Sequence, residues 1–193
     1  IRQTGLGGSD ISILFGAHPY KTQYDLWLDK TSPILDEEET NEAIRWGNLL
    51  EPVILKRYLE VQEEKGQKLT IDKEWKKDVI LRHPEYPYLL ATPDALFVKD
   101  GHYTHGLEIK TTATHNGSRW GINESNKVPY HYYLQVVHYM LVTGLDEWDM
   151  AVLIGGNDFR TYKFKKDLNT ETKILELSKD FWENHILKNI PPE

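Results

Sequence analysis

The 193-residue chain carries 23 Lys plus Arg, 30 Asp plus Glu and no cysteine. It is read as a single domain over 1–193, long enough to bury a core without disulfides. The lack of cysteine excludes zinc fingers, thiol nucleophiles and thiolate-bound iron-sulfur clusters, and it fits a cytoplasmic setting. With 39% hydrophobic and 11% aromatic residues the chain is not a disordered polymer, no apolar run approaches the ~18 residues of a membrane span, and a formal charge of -7 has the wrong sign for a nucleic-acid seeker.

The negative surplus is local, because residues 1–66 hold 7 basic and 12 acidic side chains while residues 67–193 hold 16 and 18. Part of it is the run Asp36, Glu37, Glu38, Glu39, read as a solvated loop ahead of a helix. The chain opens at Ile1 without methionine, so the numbering is expected to begin inside a longer polypeptide; no signal peptide is visible.

In chain order, Gly7, Gly8, Ser9 and Asp10 form a turn that delivers Ser9 as the N-cap of a short helix ended by Gly16. A second helix is predicted over 22–30. A long third follows over 41–65, with Trp46, Leu49, Leu50, Val53, Ile54 and Val61 as its apolar face and Pro52, worth ~3 kcal/mol of strain inside a helix, expected to kink it near Glu51. Short β stretches are predicted at 69–72, 79–83, 89–91, 95–98 and 107–111, with Asp100-Gly101 as a hairpin turn. Pro129 then opens a helix to 142, stopped by Gly144. Strands at 148–154 and 160–164 flank Gly155, Gly156 and Asn157, and a final amphipathic helix spans 170–187. Strands in runs between helices predict a mixed α/β or α+β fold, a central sheet flanked by helices and not a doubly wound one.

The chemistry concentrates at Asp94, Glu108 and Lys110. Side chains alternate along a strand, so Glu108 and Lys110 share a face about 6–7 Å apart while Leu107 and Ile109 pack against a helix on the other. Asp94, just after Pro93, can join them at an open edge. Two carboxylates beside an ammonium suit Mg²⁺ or Mn²⁺, which acidifies bound water and neutralises phosphodiester charge. On spacing alone the triplet reads more readily as an ordinary cross-strand salt bridge than as a metal site.

The context widens that choice. Pro93-Asp94 followed by Glu108-Ile109-Lys110 resembles the PD-(D/E)XK nuclease signature. In order, GLGGSDISILFG, YKTQYDLWLDKT, RWGNLLEPVI, YLLATPDAL, GLEIKTT, VPYHYYLQVVHYMLVTG and AVLIGG resemble the YqaJ-like viral recombinase family, grouped with phage lambda exonuclease in that superfamily. The resemblance implies a restriction-endonuclease-like core and a Mg²⁺-dependent 5′-to-3′ double-strand DNA exonuclease of phage recombination. It implies two metal ions held by Asp94, Glu108, Glu51 and the carbonyl of Ile109. Lys110 and Gln135 would act on water, and Arg2, Ser9 and Thr92 on a 5′-phosphate. It implies as partners duplex DNA with a 5′-phosphorylated end and a single-strand annealing recombinase, with a homotrimeric ring as assembly, in the host cytoplasm and off the membrane. An endonuclease or nickase using the same site, and a weakened DNA-binding accessory protein, are the alternatives.

Read from the residues themselves, Glu51 lies on the margin of its helix's apolar face. Gln135 shares a polar stripe with His131 and His138, which ordinarily means a solvated face, and both histidines are expected at the surface or behind the site. Ala95 stands where such relatives usually carry glycine; were φ positive there, alanine would cost about 1 kcal/mol. Arg160, Lys163, Lys165 and Lys166 form a basic cluster, read as a solvated edge strand more readily than a DNA track.

Overall fold

The computed structural model describes residues 2–33, 41–72 and 79–193, the side chain of Arg2 excepted; the acidic run at 36–39 lies outside the described residues. Helix α1 spans Gly8–Leu14, α2 Gln23–Thr31 and α3 Glu42–Glu64. Capping explains where each begins. Thr22 accepts from the Asp25 N–H while Asp25 accepts from that of Thr22, and the Asn41 side chain accepts from the Ile44 N–H. For α1 the expectation fails: Gly7 is the N-cap and the Asp10 carboxylate takes its N–H at 2.9 Å, which leaves Ser9 in the first turn. Helix α3 is continuous through Pro52.

A two-stranded ladder, β1 (Leu81–Arg82) with β2 (Leu90–Ala91), precedes the main sheet of β3 (Ala95–Lys99), β4 (His102–Thr112), β5 (Glu147–Ile154) and β6 (Asp158–Lys165). The sheet runs β3-β4-β5-β6 and is mixed, β4 and β5 being parallel and the outer pairs antiparallel. Asp100 and Gly101, at φ 52° and 78°, make the tight turn between β3 and β4. The stretch at 69–72 contributes one bridge, Ile71 to Phe97, and no strand.

Parallel strands need a crossover, and here it carries α4 (Tyr130–Thr143), which Gly144 ends at φ 73°. Helix α5 (Leu168–Asp180) continues into a π-helical turn, Phe181–Ile186. Helices α1, α4 and α5 cover one face, burying Leu134, Val136, Val137 and Met140 against Trp148, Met150 and Val152; α3 covers the other with Ile54 and Tyr58 on Phe97, Leu107 and Ile109. The apolar face read for α3 is therefore displaced. Trp46, Leu49 and Val53 are more than half exposed, and Ile54, Tyr58 and Gln62 are the buried positions. Among the described residues no helix is long and apolar enough to cross a membrane.

Candidate active site

The ladder between β3 and β4 ends at Ala95 opposite Leu107, and Asp94 leaves the strand there. Its Oδ2 accepts the Ile109 N–H at 2.7 Å, so the carboxylate substitutes for the missing strand along that edge of β4. The N–H and C=O of one strand residue share an edge, so the Ile109 carbonyl lies on the same side. A cleft of about 300 Å³ opens at this point, between Ile44, Gly47, Asn48 and Glu51 of α3 and Asp94, Glu108, Ile109, Lys110 and Thr111. Ending one ladder early thus turns the interior of the sheet into a site.

Glu108 faces α4 and is 4% exposed. Its Oε1 accepts from Lys110 Nζ at 2.7 Å and from Gln135 Nε2 at 3.0 Å, whereas Oε2 is buried without a hydrogen-bond partner among the described residues. The open edge expected for this face is instead roofed by α4, and the cleft is reached from the strand end. Burial, then the Glu108 charge, push the Asp94 carboxyl up to about 8, with Glu51 adding to the rise and the Ile109 N–H and Lys110 opposing it. For Lys110, burial alone would lower the pKa; the hydrogen-bonded Glu108 carboxylate outweighs it and raises it, and the ammonium also sits 4.8 Å over the Tyr132 ring.

These groups suit a hard cation in kind. Asp94, Glu108, Glu51 and the Ile109 carbonyl offer oxygen, one carboxylate oxygen is buried without a hydrogen-bond donor among the described residues, and burial together with the Glu108 charge raises the pKa of the neighbouring Asp94 carboxyl. No three His, Asp or Glu side chains among the described residues are gathered as a ready coordination set.

Of the other expected residues, Gln135 is 9% exposed and touches Glu108, so its stripe is not solvated. His138 is fully buried and bonds the Leu90 carbonyl at 2.8 Å, which corrects the surface alternative of its expected placement, because α1 packs over the face of α4 that periodicity assigns to solvent. His131 is half-buried. Ser9 and Thr92 are exposed, and the structure brings their segments together. Gly8, beside Ser9, lies so close to Gln135 and Tyr139 that a Cβ there would meet their side chains at 2.6 and 2.7 Å; Thr92 Oγ1 lies 3.3 Å from Tyr139 OH. The Arg2 side chain lies outside the described residues. Ala95 sits in extended β3 backbone and is buried, so the glycine-specific strain does not arise. Arg160 is engaged by Asp158 and by the carbonyls of Trp120 and Gly121.

Sequence reasoning missed Tyr139 and Tyr132. Tyr139 stands four residues after Gln135, one helical turn on, and Gln135 Nε2 donates to its hydroxyl at 3.1 Å. That spacing was the available signal.

A family model described as YqaJ-like viral recombinase domain matches residues 1–146. The chain is 36% identical over 193 residues to the uncharacterized protein YqaJ of Bacillus subtilis (strain 168), covering 99% of itself and 56% of that protein; it thus spans about half of that relative's length. Among solved structures, the alkaline exonuclease LHK-Exo of Laribacter hongkongensis, also determined in complex with dAMP, superposes with a TM-score of 0.69 at 17% identity, covering 98% of this chain and 91% of that one. A phage-related exonuclease of Haemophilus somnus 129PT gives 0.57 at 12% identity, with 96% of each chain covered. The shared fold is that of PD-(D/E)XK exonucleases.

Proposed function

Since the chain belongs to the YqaJ-like viral recombinase family and shares its fold with alkaline exonucleases, we propose that it is a metal-dependent deoxyribonuclease of phage recombination, digesting duplex DNA 5′ to 3′ from a 5′-phosphorylated end. The observation that carries this reading is the Glu108 carboxylate, fixed through one oxygen by Lys110 and Gln135, its other oxygen unpartnered, in a cleft shared with Asp94 and Glu51. A structural salt bridge has no use for the unpartnered oxygen.

Asp94, Glu108, Glu51 and the Ile109 carbonyl are the ligands we assign to Mg²⁺, two ions per site, with Mn²⁺ as a substitute. The bound ion supplies acidified water and charge neutralisation at the phosphodiester. Gln135 holds Glu108 in place, and Lys110, kept protonated by that carboxylate, sets a positive charge beside the scissile phosphate and orients water as a donor. Ser9, Thr92 and Arg2 are assigned to the terminal phosphate. The reading includes an annealing recombinase as partner, a homotrimeric ring and work in the host cytoplasm.

Linear and covalently closed circular duplex, offered with Mg²⁺ and with EDTA, test it. Degradation of the linear form alone, and only with metal, is expected. Cutting of the closed circle would establish the endonuclease alternative, and no loss of either substrate with any divalent ion would end the nuclease reading.

A further inference from the structure

Beyond the carboxylates, α4 carries a chain of hydroxyl and amide groups whose proton directions are fixed by chemistry. The Glu108 carboxylate is acceptor-only, so the group 3.0 Å away must be the NH₂ of Gln135, whichever way the amide is drawn. The second hydrogen of that NH₂ goes to Tyr139 OH at 3.1 Å. Tyr139, 3% exposed, therefore spends a lone pair on Gln135 and must place its own proton elsewhere. Burial and the Glu108 charge raise its pKa, so the proton stays on the phenol. The one further hydroxyl or carbonyl partner recorded for it among the described residues is Thr92 Oγ1 at 3.3 Å. Once Thr92 has accepted, the hydrogen of its own hydroxyl is left to point outward from an exposed residue two positions before the cleft residue Asp94.

Resting on the nuclease reading for its substrate, we infer that Tyr139 is a positioning residue: it holds the Thr92 hydroxyl as a donor toward a terminal phosphate oxygen of DNA, and ties that contact through Gln135 to the Glu108–Lys110 pair. The 3.3 Å contact is long for two hydroxyls and shortens as Thr92 donates to an anion, because an oxygen that gives up its hydrogen to an acceptor becomes a better acceptor itself. Gly8 belongs to the same device. Its missing Cβ lets the first turn of α1, with Ser9, close over Gln135 and Tyr139.

The test is binding, not cleavage. Fluorescence anisotropy of a labelled duplex bearing either a 5′-phosphate or a 5′-hydroxyl is measured with EDTA present, and the ratio of the two Kd values is the readout. Wild type is expected to favour the phosphate about tenfold or more, in line with a hydrogen bond to a charged group. Thr92→Val should remove most of that preference and Thr92→Ser should keep it. Tyr139→Phe, which retains the ring against Trp148, should reduce the preference about threefold to tenfold, and Tyr139→Phe with Thr92→Val should be no worse than Thr92→Val alone. Should Tyr139→Phe fail to fold, Gln135→Leu reads the same relay, since it frees Tyr139 to turn from Thr92. A full phosphate preference in Tyr139→Phe or Gln135→Leu, equal Kd values in wild type, or strictly additive losses would each overturn the relay. Digestion in Mg²⁺ is scored separately, so a protein that prefers the phosphate but never cuts loses the nuclease reading and keeps the relay.

Discussion

On the α3 face of the sheet, the Tyr58 phenol donates to Asp149 Oδ2 at 2.5 Å and lies 3.4 Å from His105 Nε2, whose other ring nitrogen is 3.0 Å from Thr104 Oγ1. On the α4 face, three positions along β4 from His105, Glu108 gathers Lys110 and Gln135 on one oxygen and leaves the other with none. Both acids are buried, and both clusters join a helix to β4. In the first the Tyr58 phenol answers the carboxylate, and the contacts run outward through half-buried His105 to exposed Thr104. The second is incomplete and lies beside a cleft, with a neighbouring carboxyl pushed up to about 8. A satisfied buried network fixes a helix in place, whereas an unpartnered buried carboxylate oxygen calls for a further partner, which is the place of the cation proposed above.

The contrast is sharpest in substitutions that remove one group from each side. Lys110→Met should lower kcat per folded molecule on linear duplex by about 10²- to 10³-fold, the scale for losing one preorganised electrostatic group, and should also lower stability, because buried Glu108 is left with Gln135 as its donor. Tyr58→Phe should cost stability alone. It strands Asp149 without its donor and should cost about 1–3 kcal/mol in urea unfolding, with kcat per folded molecule little changed. If instead Tyr58→Phe abolished turnover in a fully folded protein, the two faces would not divide as described.

A pH series probes the incomplete side. The Asp94 carboxyl has a folded-state pKa above its ordinary value, so the folded protein binds the proton more tightly than the unfolded chain does. Its contribution to stability is present in acid and is lost as pH rises from about 4 through about 8. In EDTA, Asp94→Asn should flatten that decline. At pH 7, Mg²⁺ binding to wild type should release close to one proton, seen by calorimetry in buffers of different ionisation enthalpy; no release would contradict a raised Asp94 carboxyl pKa in the free protein. The smallest effect belongs to Ala95→Gly, expected to cost about 0.5–1 kcal/mol with no gain in rate, because the strand backbone there makes no use of glycine's freedom.

Particular residues show how far the sequence carried. Alternation along 107–111 gave the correct two faces of β4, and Pro129, Gly144 and the Asp100-Gly101 turn marked real boundaries. Those signals are local, set by φ preferences and side-chain period. The failures concern what lies against a surface. The apolar stripe of Trp46, Leu49 and Val53 faces outward because Tyr58 and Ile54, two and one turns beyond the cleft residues, choose which side of α3 meets the sheet. Gln135 and His138 read as solvated because a period says nothing of α1 packing over them. Ser9 lost the N-cap because Asp10, three residues after Gly7, reaches back to its N–H. In the site, Asp94, Glu108 and Lys110 were legible as a constellation, while Tyr139 was not, since a tyrosine in an aromatic helix carries no mark of its hydroxyl's partners.

The central claim is that the unfinished cluster is a cation-dependent cutting site, and one measurement addresses it most directly: release of nucleotides from a 5′-phosphorylated linear duplex by wild type and Asp94→Ala, each in Mg²⁺ and in EDTA. The expected result is progressive release by wild type in Mg²⁺ and by none of the other three combinations. Equal release by Asp94→Ala, or release by wild type in EDTA, would contradict it.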